Sequence, residues 1–323
     1  MKNYNPTDPK IWTGRTSDQK HYLHEKVDLI NLEEGYPAPF LDQAFAILGY
    51  TCEEGVKRNM GRIGTVSGPD AIRRQFAEMP NHLEHETAIL DMGSISCANA
   101  DMEEAQTILA ETVACLLALN TFPLLLGGGH DMAYGHYNGI KKYLSFQGKN
   151  KILGIINFDA HFDLRSNKNG NNSGTPFYQI AQDRKLDNTK FKYMCLGVRK
   201  DANITPLFDT AKELGVSYID IPHFNLHHLS HTKNKLERFI REVDHIYTTI
   251  DLDGFSSAYA PGVSAASPMG FSPDMVLECL EIIIDSKKMI SLDIAEMNPI
   301  YDIDDQTAKL AASLIHFVVH NKS

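Results

Sequence analysis

The feature that constrains this chain most is a recurring order: a short apolar run, a stretch with helical spacing, then another apolar run. The runs are AILDMG (88–93), FPLLLGGG (122–129), ILGIINFD (152–159), YMCLGVR (193–199), VSYIDI (216–221), IYTTIDLD (246–253) and MISLDIAE (289–296). Helical spacing is found near 103–119, 131–145, 206–214, 232–243, 273–286 and 305–320. Strands without polar alternation must be covered on both faces, and strands that alternate with helices pair mainly in parallel. The expectation is an α/β protein forming one domain over residues 1–323. Its first 50 residues read as irregular, because NPTDP and GYPAPF break regular structure. The helix near 273 has a clear start, with Ser272 as cap, Pro273 in the first turn and Asp274 at the positive end.

Four runs end in groups that bind metals: His130 after three glycines; Asp159, His161 and Asp163; Asp251 and Asp253; Asp293 and Glu296. In DAHFD the three polar residues alternate with Ala160 and Phe162, so an extended chain points them one way. Open parallel sheets gather ligands at the carboxyl ends of their strands. Carboxylates there are costly unless paired or bound to a cation. Asp159, Asp163, Asp251 and Asp253 carry the charge that two divalent cations neutralise, and His130 and His161 complete the donors. That is a two-metal centre. No cysteine joins it, and a carboxylate-rich set with some imidazole suits hard ions such as Mn²⁺ without excluding zinc, iron or cobalt. Such a centre generates a nucleophile from water and attacks electrophilic carbon or phosphorus.

Each motif alone has a plainer reading, since acidic pairs cap helices and glycine runs make tight turns. Three such groups closing three apolar runs select the metal. The histidines of HFNLHHLSH (His223, His227, His228, His231) lack carboxylates and read as solvated surface. GGGHD lacks the Gly-Lys-Ser/Thr of a phosphate loop. A formal charge of −10 argues against nucleic acid and anionic membranes. No apolar run approaches the roughly 20 residues that span a bilayer. The amino terminus is polar and the five cysteines are odd in number without CxxC spacing, so a cytoplasmic protein with reduced thiols is expected, acting on a small molecule.

GGGHD, DAHFD and DLDGF, in this order and spacing, together with GRIGTVSGPDAIR (61–73) and SLDIAEMNP (291–299), resemble the ureohydrolase (arginase/agmatinase) superfamily over about residues 50–320. The resemblance implies a three-layer α/β/α fold on a mainly parallel sheet of about eight strands, two Mn²⁺ per subunit, and trimers or hexamers. It assigns one metal to His130, Asp159, Asp163 and Asp251, and the other to Asp159, His161, Asp251 and Asp253, with Asp159 and Asp251 bridging. Glu296 matches the carboxylate that holds the substrate's cationic nitrogen group.

Within the superfamily, DAHFDLR, SGTPFYQIA (173–181) and DGFSSAYAPGVSA (253–265) are most similar to the formimidoylglutamase branch. This implies hydrolysis of N-formimidoyl-L-glutamate to L-glutamate and formamide in histidine degradation. A metal-bridging hydroxide would attack the formimidoyl carbon while Asp253 or a neighbouring acid handles the proton. Arg165 stands where arginases use a neutral Asn, and a guanidinium there can grip a carboxylate; Ser173 and Glu296 complete the expected substrate contacts. Ala202 stands where arginases tend to carry an acid for the substrate ammonium. Phe177 stands where the arginase loop carries a proton-shuttling histidine, which leaves a metal ligand, water or His136 as donor to the leaving nitrogen. The rival readings are an agmatinase- or guanidinobutyrase-type amidinohydrolase, a non-catalytic ureohydrolase-like subunit, and a single-metal zinc deacetylase whose His-His pair is not evident.

Overall fold

The computed structural model describes residues 2–42, 44–148 and 151–322. Ten strands among them form one sheet: β1 (Tyr4–Asn5), β2 (Val27–Leu29), β3 (Ala44–Thr51), β4 (Ile89–Ser96), β5 (Thr121–Gly127), β6 (Leu153–Phe158), β7 (Lys192–Val198), β8 (Ser217–Asp220), β9 (His245–Asp251) and β10 (Met289–Ala295). The order is β1-β4-β3-β5-β10-β9-β6-β7-β8, with β2 also on β4. Every pairing is parallel except β1 against β4. The α-helices are α1 (Glu54–Arg58), α2 (Gly68–Ala77), α3 (Met102–Ala118), α4 (Met132–Phe146), α5 (Pro176–Leu186), α6 (Thr205–Glu213), α7 (Leu229–Arg241), α8 (Pro273–Asp285) and α9 (Gln306–Lys322).

The apolar strands divide their side chains between two cores. Leu124, Leu126, Ile156 and Phe158 join the core beneath α2, α7, α8 and α9. Leu125, Leu153 and Ile155 join the one beneath α3, α4, α5 and α6. Both faces of the sheet are thereby covered, which is why its strands tolerate no polar alternation. None of the described helices is long and apolar enough to cross a membrane.

Four features depart from the sequence expectation. The sheet has ten strands, not about eight, because β1 and β2 add short pieces along the outer edge of β4. The segment over 1–50 is not wholly irregular: AFAILGYT forms β3, inserted between β4 and β5 and almost completely buried. Ser272 makes no capping bond; its hydroxyl donates to the Asp274 carboxylate, which also accepts the Met275 N–H. The helices α1, α2 and α5 also lie outside the stretches read as helical.

The amino-terminal segment is held by one buried anion. Asp91 accepts two parallel bonds from Arg73, both 2.9 Å, plus the Trp12 indole N–H at 2.7 Å and the Thr7 hydroxyl at 2.9 Å. The Arg73 and Asp91 side chains are both fully buried, so Asp91 depends on Arg73 for its charge, while Arg73 also reaches half-exposed Asp70 at 3.1 Å.

Candidate metal centre

The four strands whose ends carry metal-competent residues are neighbours in the sheet. They run β5-β10-β9-β6, and parallel pairing brings all four carboxyl ends to one rim. Sequence order gives no hint of this, because β9 and β10 insert between β5 and β6.

Beyond β5 the chain passes through a gap that only glycine fits. Gly128 and Gly129 donate to the Tyr50 and Cys52 carbonyls, each at 2.9 Å. A Cβ on Gly128 would lie 2.1 Å from the Cys52 carbonyl oxygen. The thread then fixes Glu296, whose N–H reaches the Gly128 carbonyl at 2.9 Å and whose Oε1 accepts the His130 N–H at 3.0 Å. Glu296 has φ +67° and Asp163 φ +48°, left-handed backbone at two positions facing the site.

The ends of β6 and β9 use one local device twice. Asp159 Oδ1 accepts the His161 N–H at 2.6 Å, and Asp251 Oδ1 accepts the Asp253 N–H at 2.8 Å. Each aspartate bends the chain two residues ahead, an Asx turn, and keeps one oxygen for the centre. Asn157 donates to Asp159 Oδ2 at 3.0 Å.

His130 stands at the middle. Its Nδ1 lies 2.9 Å from Asp163 Oδ2, 3.0 Å from Asp251 Oδ2 and 3.4 Å from Asp159 Oδ2. Its Nε2 faces the Thr249 hydroxyl at 2.9 Å. His161 Nδ1 lies 3.3 Å from Asp253 Oδ1 and 3.4 Å from Asp159 Oδ1. Two donor sets result: His130, Asp159, Asp163 and Asp251; and Asp159, His161 and Asp253. Asp159 belongs to both, whereas Asp251 falls only in the first.

The donors fit a pair of cations on two counts. His130 Nδ1 and Asp253 Oδ1 are buried without a hydrogen-bond partner. With Nε2–H donated to Thr249, the Nδ1 lone pair would face three carboxylate oxygens, an arrangement that a bound cation turns from repulsive to favourable. Moreover, no Lys or Arg among the described residues forms an ion pair with Asp159, Asp163, Asp251, Asp253 or Glu296.

In the protein alone, protons do part of this neutralising. Burial, then Asp253 and Asp159, push Asp251 well above the carboxylate range. Burial and Asp159 raise Asp163 as well. Burial and the Asp253 charge push Glu296 up to about 8. Burial opposes charge on both imidazoles, yet Asp159, Asp163 and Asp251 raise His130, and Asp253 and Asp159 raise His161.

Above the cluster lies a cavity of about 300 Å³, within the range of small-molecule sites. His161, Asp253 and Glu296 face it from below; Asn59, Arg62 and Ser264 wall it. Arg165 stands exposed at its edge, and no hydrogen bond or ion pair from its guanidinium is formed among the described residues. Ser173 lines the cavity and accepts from Asn59 Nδ2 at 3.1 Å. Ala202 also lines it, so no acid stands there.

Two sequence expectations fall elsewhere. His136 is fully buried, with Nδ1 at 2.6 Å from Asp293 Oδ2 and Nε2 at 2.5 Å from Ser291 Oγ. With both ring nitrogens engaged and no access to the cavity, it is no donor to a leaving group, and Asp293 serves this network instead of the cluster. Phe177 does not line the cavity; it packs edge-on to His130 at 5.3 Å and stacks on Tyr193 at 4.5 Å. The HFNLHHLSH histidines are exposed or half-buried, and none joins a metal-competent group among the described residues.

Sequence reasoning missed Thr249, Asn157, Asn59 and Arg62. A signal existed for the first two. Each is a polar residue two places before a strand-end aspartate, hence on the same side of its strand.

The arginase family model matches residues 43–320. A formimidoylglutamase of Clostridium tetani is 38% identical over 323 residues, covering 98% of this chain and 96% of its own. The solved formimidoylglutamase of Bacillus subtilis superposes with a TM-score of 0.80 at 21% identity, over 95% of this chain and 94% of that one. A Trypanosoma cruzi formiminoglutamase solved with Mn²⁺ superposes at 0.73 and 22% identity, over 86% and 92%.

Proposed function

This chain belongs to the arginase family, and on that premise we propose that it hydrolyses N-formimidoyl-L-glutamate to L-glutamate and formamide, a step of histidine degradation. The observation that carries the reading is the polarity of the cavity. Its floor is a cluster of carboxylates and its edge carries Arg165 without an acidic partner among the described residues. The substrate has the opposite polarity, an amidinium at one end and two carboxylates at the other. A cationic tail such as that of agmatine would meet Arg165 unfavourably.

His130, Asp159, Asp163 and Asp251 would hold one cation, and Asp159, His161 and Asp253 the other, with Asp251 in reach as a second bridge. Manganese suits the hard, oxygen-rich set and is the ion in the Trypanosoma cruzi relative's structure. When bound, such a pair supplies an activated water and polarises the carbon under attack.

The chain's own residues do the rest. Glu296 Oε1 is occupied by the His130 N–H, which leaves its second oxygen to hold an amidinium N–H. A cationic partner there favours the ionised carboxylate, reversing its raised pKa. Asp253, which lines the cavity, would take the proton of the attacking water on the carboxylate oxygen that does not hold the cation and return it to the α-nitrogen as glutamate departs. Arg165 and Ser173 hold the carboxylate end. The free thiols suit a reducing, cytoplasmic setting.

The test is a product assay on manganese-loaded protein with formimidoylglutamate, agmatine, 4-guanidinobutyrate and arginine in parallel. Formamide from the first alone is the expected result. Urea from any other substrate would overturn the substrate assignment.

A further inference from the structure

Cys52 and Cys97 belong to no part of the site, yet the sheet sets them side by side. Cys52 follows β3 and Cys97 follows β4, and the last paired residues are Thr51 with Ser96. The register therefore makes the two cysteines opposite partners. Opposite residues of a parallel pair point to the same face, and both belong to the core under α3–α6. Strands about 4.8 Å apart fall within the Cα separation of roughly 4.4–6.8 Å that a disulfide spans.

Their exposure differs: Cys52 is buried and Cys97 half-buried. The two thiols interact, which holds Cys97 below the usual thiol range and Cys52 above it. A reachable, ionisable thiol beside a buried second one is the arrangement of redox-active cysteines.

Both cysteines stand at the root of segments that border the metal centre. The Cys52 carbonyl accepts the Gly129 N–H at 2.9 Å, immediately before His130. Two residues further on, α1 begins, and it leads to the cavity wall at Asn59 and Arg62. Cys97 opens a turn in which Asn99 and Ala100 have φ +54° and +60°, tied to α1 by an Arg58 Nη2 bond to the Ala100 carbonyl at 3.1 Å.

We propose that Cys97 and Cys52 are a reversible thiol–disulfide modification site, Cys97 entering and Cys52 resolving, for low-molecular-weight disulfides of the glutathione class. The Cys97 thiolate attacks one sulfur of the small disulfide, whose S–S bond breaks and releases one thiolate. Cys52 gives its proton to that thiolate and attacks the Cys97 sulfur, expelling the second small thiol. Two protein thiols are oxidised and one small disulfide is reduced to two thiols. The cross-link pulls on the Cys52 carbonyl and so loosens the glycine loop that presents His130.

The experiment incubates the full-length native chain with oxidised glutathione, then unfolds it in an alkylating agent and maps the peptides. The expected result is a Cys52–Cys97 cross-link with Cys195 and Cys279 alkylated, while exposed Cys115 acquires glutathione without a cross-link. A C52S variant is expected to stop at the mixed disulfide on Cys97. Full alkylation of both Cys52 and Cys97 beside glutathionylated Cys115 would overturn the proposal. Manganese affinity is expected to fall about tenfold on cross-linking, the scale of other losses of support around metal ligands, and to return with dithiothreitol. A cross-link without that fall overturns the coupling to the glycine loop. This second readout rests on the metal reading; the peptide map does not.

Discussion

Replacing Arg165 with alanine tests whether the cavity is built for a carboxylate-bearing tail. Its backbone N–H is fixed to the Gly174 carbonyl at 2.9 Å, so the stem is anchored while the guanidinium stands at the cavity edge. A charge-assisted contact between guanidinium and carboxylate contributes about 1.5–3 kcal/mol when shielded from water. An exposed pair, screened by salt, falls toward about 1 kcal/mol. Arg165 is exposed but borders a concave site, which places the contact near 1.5–2 kcal/mol, roughly 10- to 30-fold in affinity. The contact is remote from the reacting carbon and equal in ground and transition states, so the loss belongs in KM and not in kcat. Steady-state kinetics on R165A should show KM for formimidoylglutamate up about 10- to 30-fold and kcat within about twofold. R165K keeps the charge without the fork and should fall between, with greater sensitivity to salt. A KM unchanged in R165A, or a fall in kcat alone, would refute the reasoning.

Three further outcomes follow from the geometry. Thr249→Val removes the hydroxyl that fixes His130 Nε2 at 2.9 Å while keeping the shape, so manganese affinity in metal-buffered titrations should weaken about 10- to 100-fold; an unchanged affinity removes Thr249 from the centre. Because the surroundings raise the pKa of His130, His161 and Asp251 above their ordinary values in the protein alone, a cation competes with protons for these donors. Affinity should therefore rise with pH, by up to about tenfold per unit for each proton released; calorimetry in buffers of different ionisation enthalpy would expose a flat profile if this is wrong. Asp91→Ala removes the buried partner of Arg73 and leaves it only the half-exposed Asp70 at 3.1 Å, at a cost of about 3 kcal/mol in urea unfolding, the lower end for breaking a buried pair, with the Trp12 environment changing in fluorescence; a loss below about 1 kcal/mol would mean water reaches that pair.

What the sequence made legible was chemistry attached to strand ends. DAHFD, DLD and GGGHD each close an apolar run, so the residue types and the rim of the sheet could be read together without knowing strand order. The adjacency of β5, β10, β9 and β6 could not, because it depends on pairings between residues far apart in the chain, such as Leu124 with Leu292 and Leu153 with His245. β3 was hidden by its surroundings: breakers on its amino-terminal side set the expectation for the whole segment, although AFAILGY is as apolar as any strand that was recognised. α5 was hidden for a different reason. Its buried residues Phe177, Ile180 and Ala181 are flanked by Tyr178, Gln179 and Gln182, so no clean helical stripe stands out. Phe177 shows how such a gap bears on function. Aligned by motif, it marks only a missing histidine; placed in the helix, its ring packs on the edge of His130 and covers that ligand with hydrocarbon. A residue that excludes water strengthens every electrostatic interaction beside it. The position that cannot carry a proton thus shields the buried His130 imidazole from water.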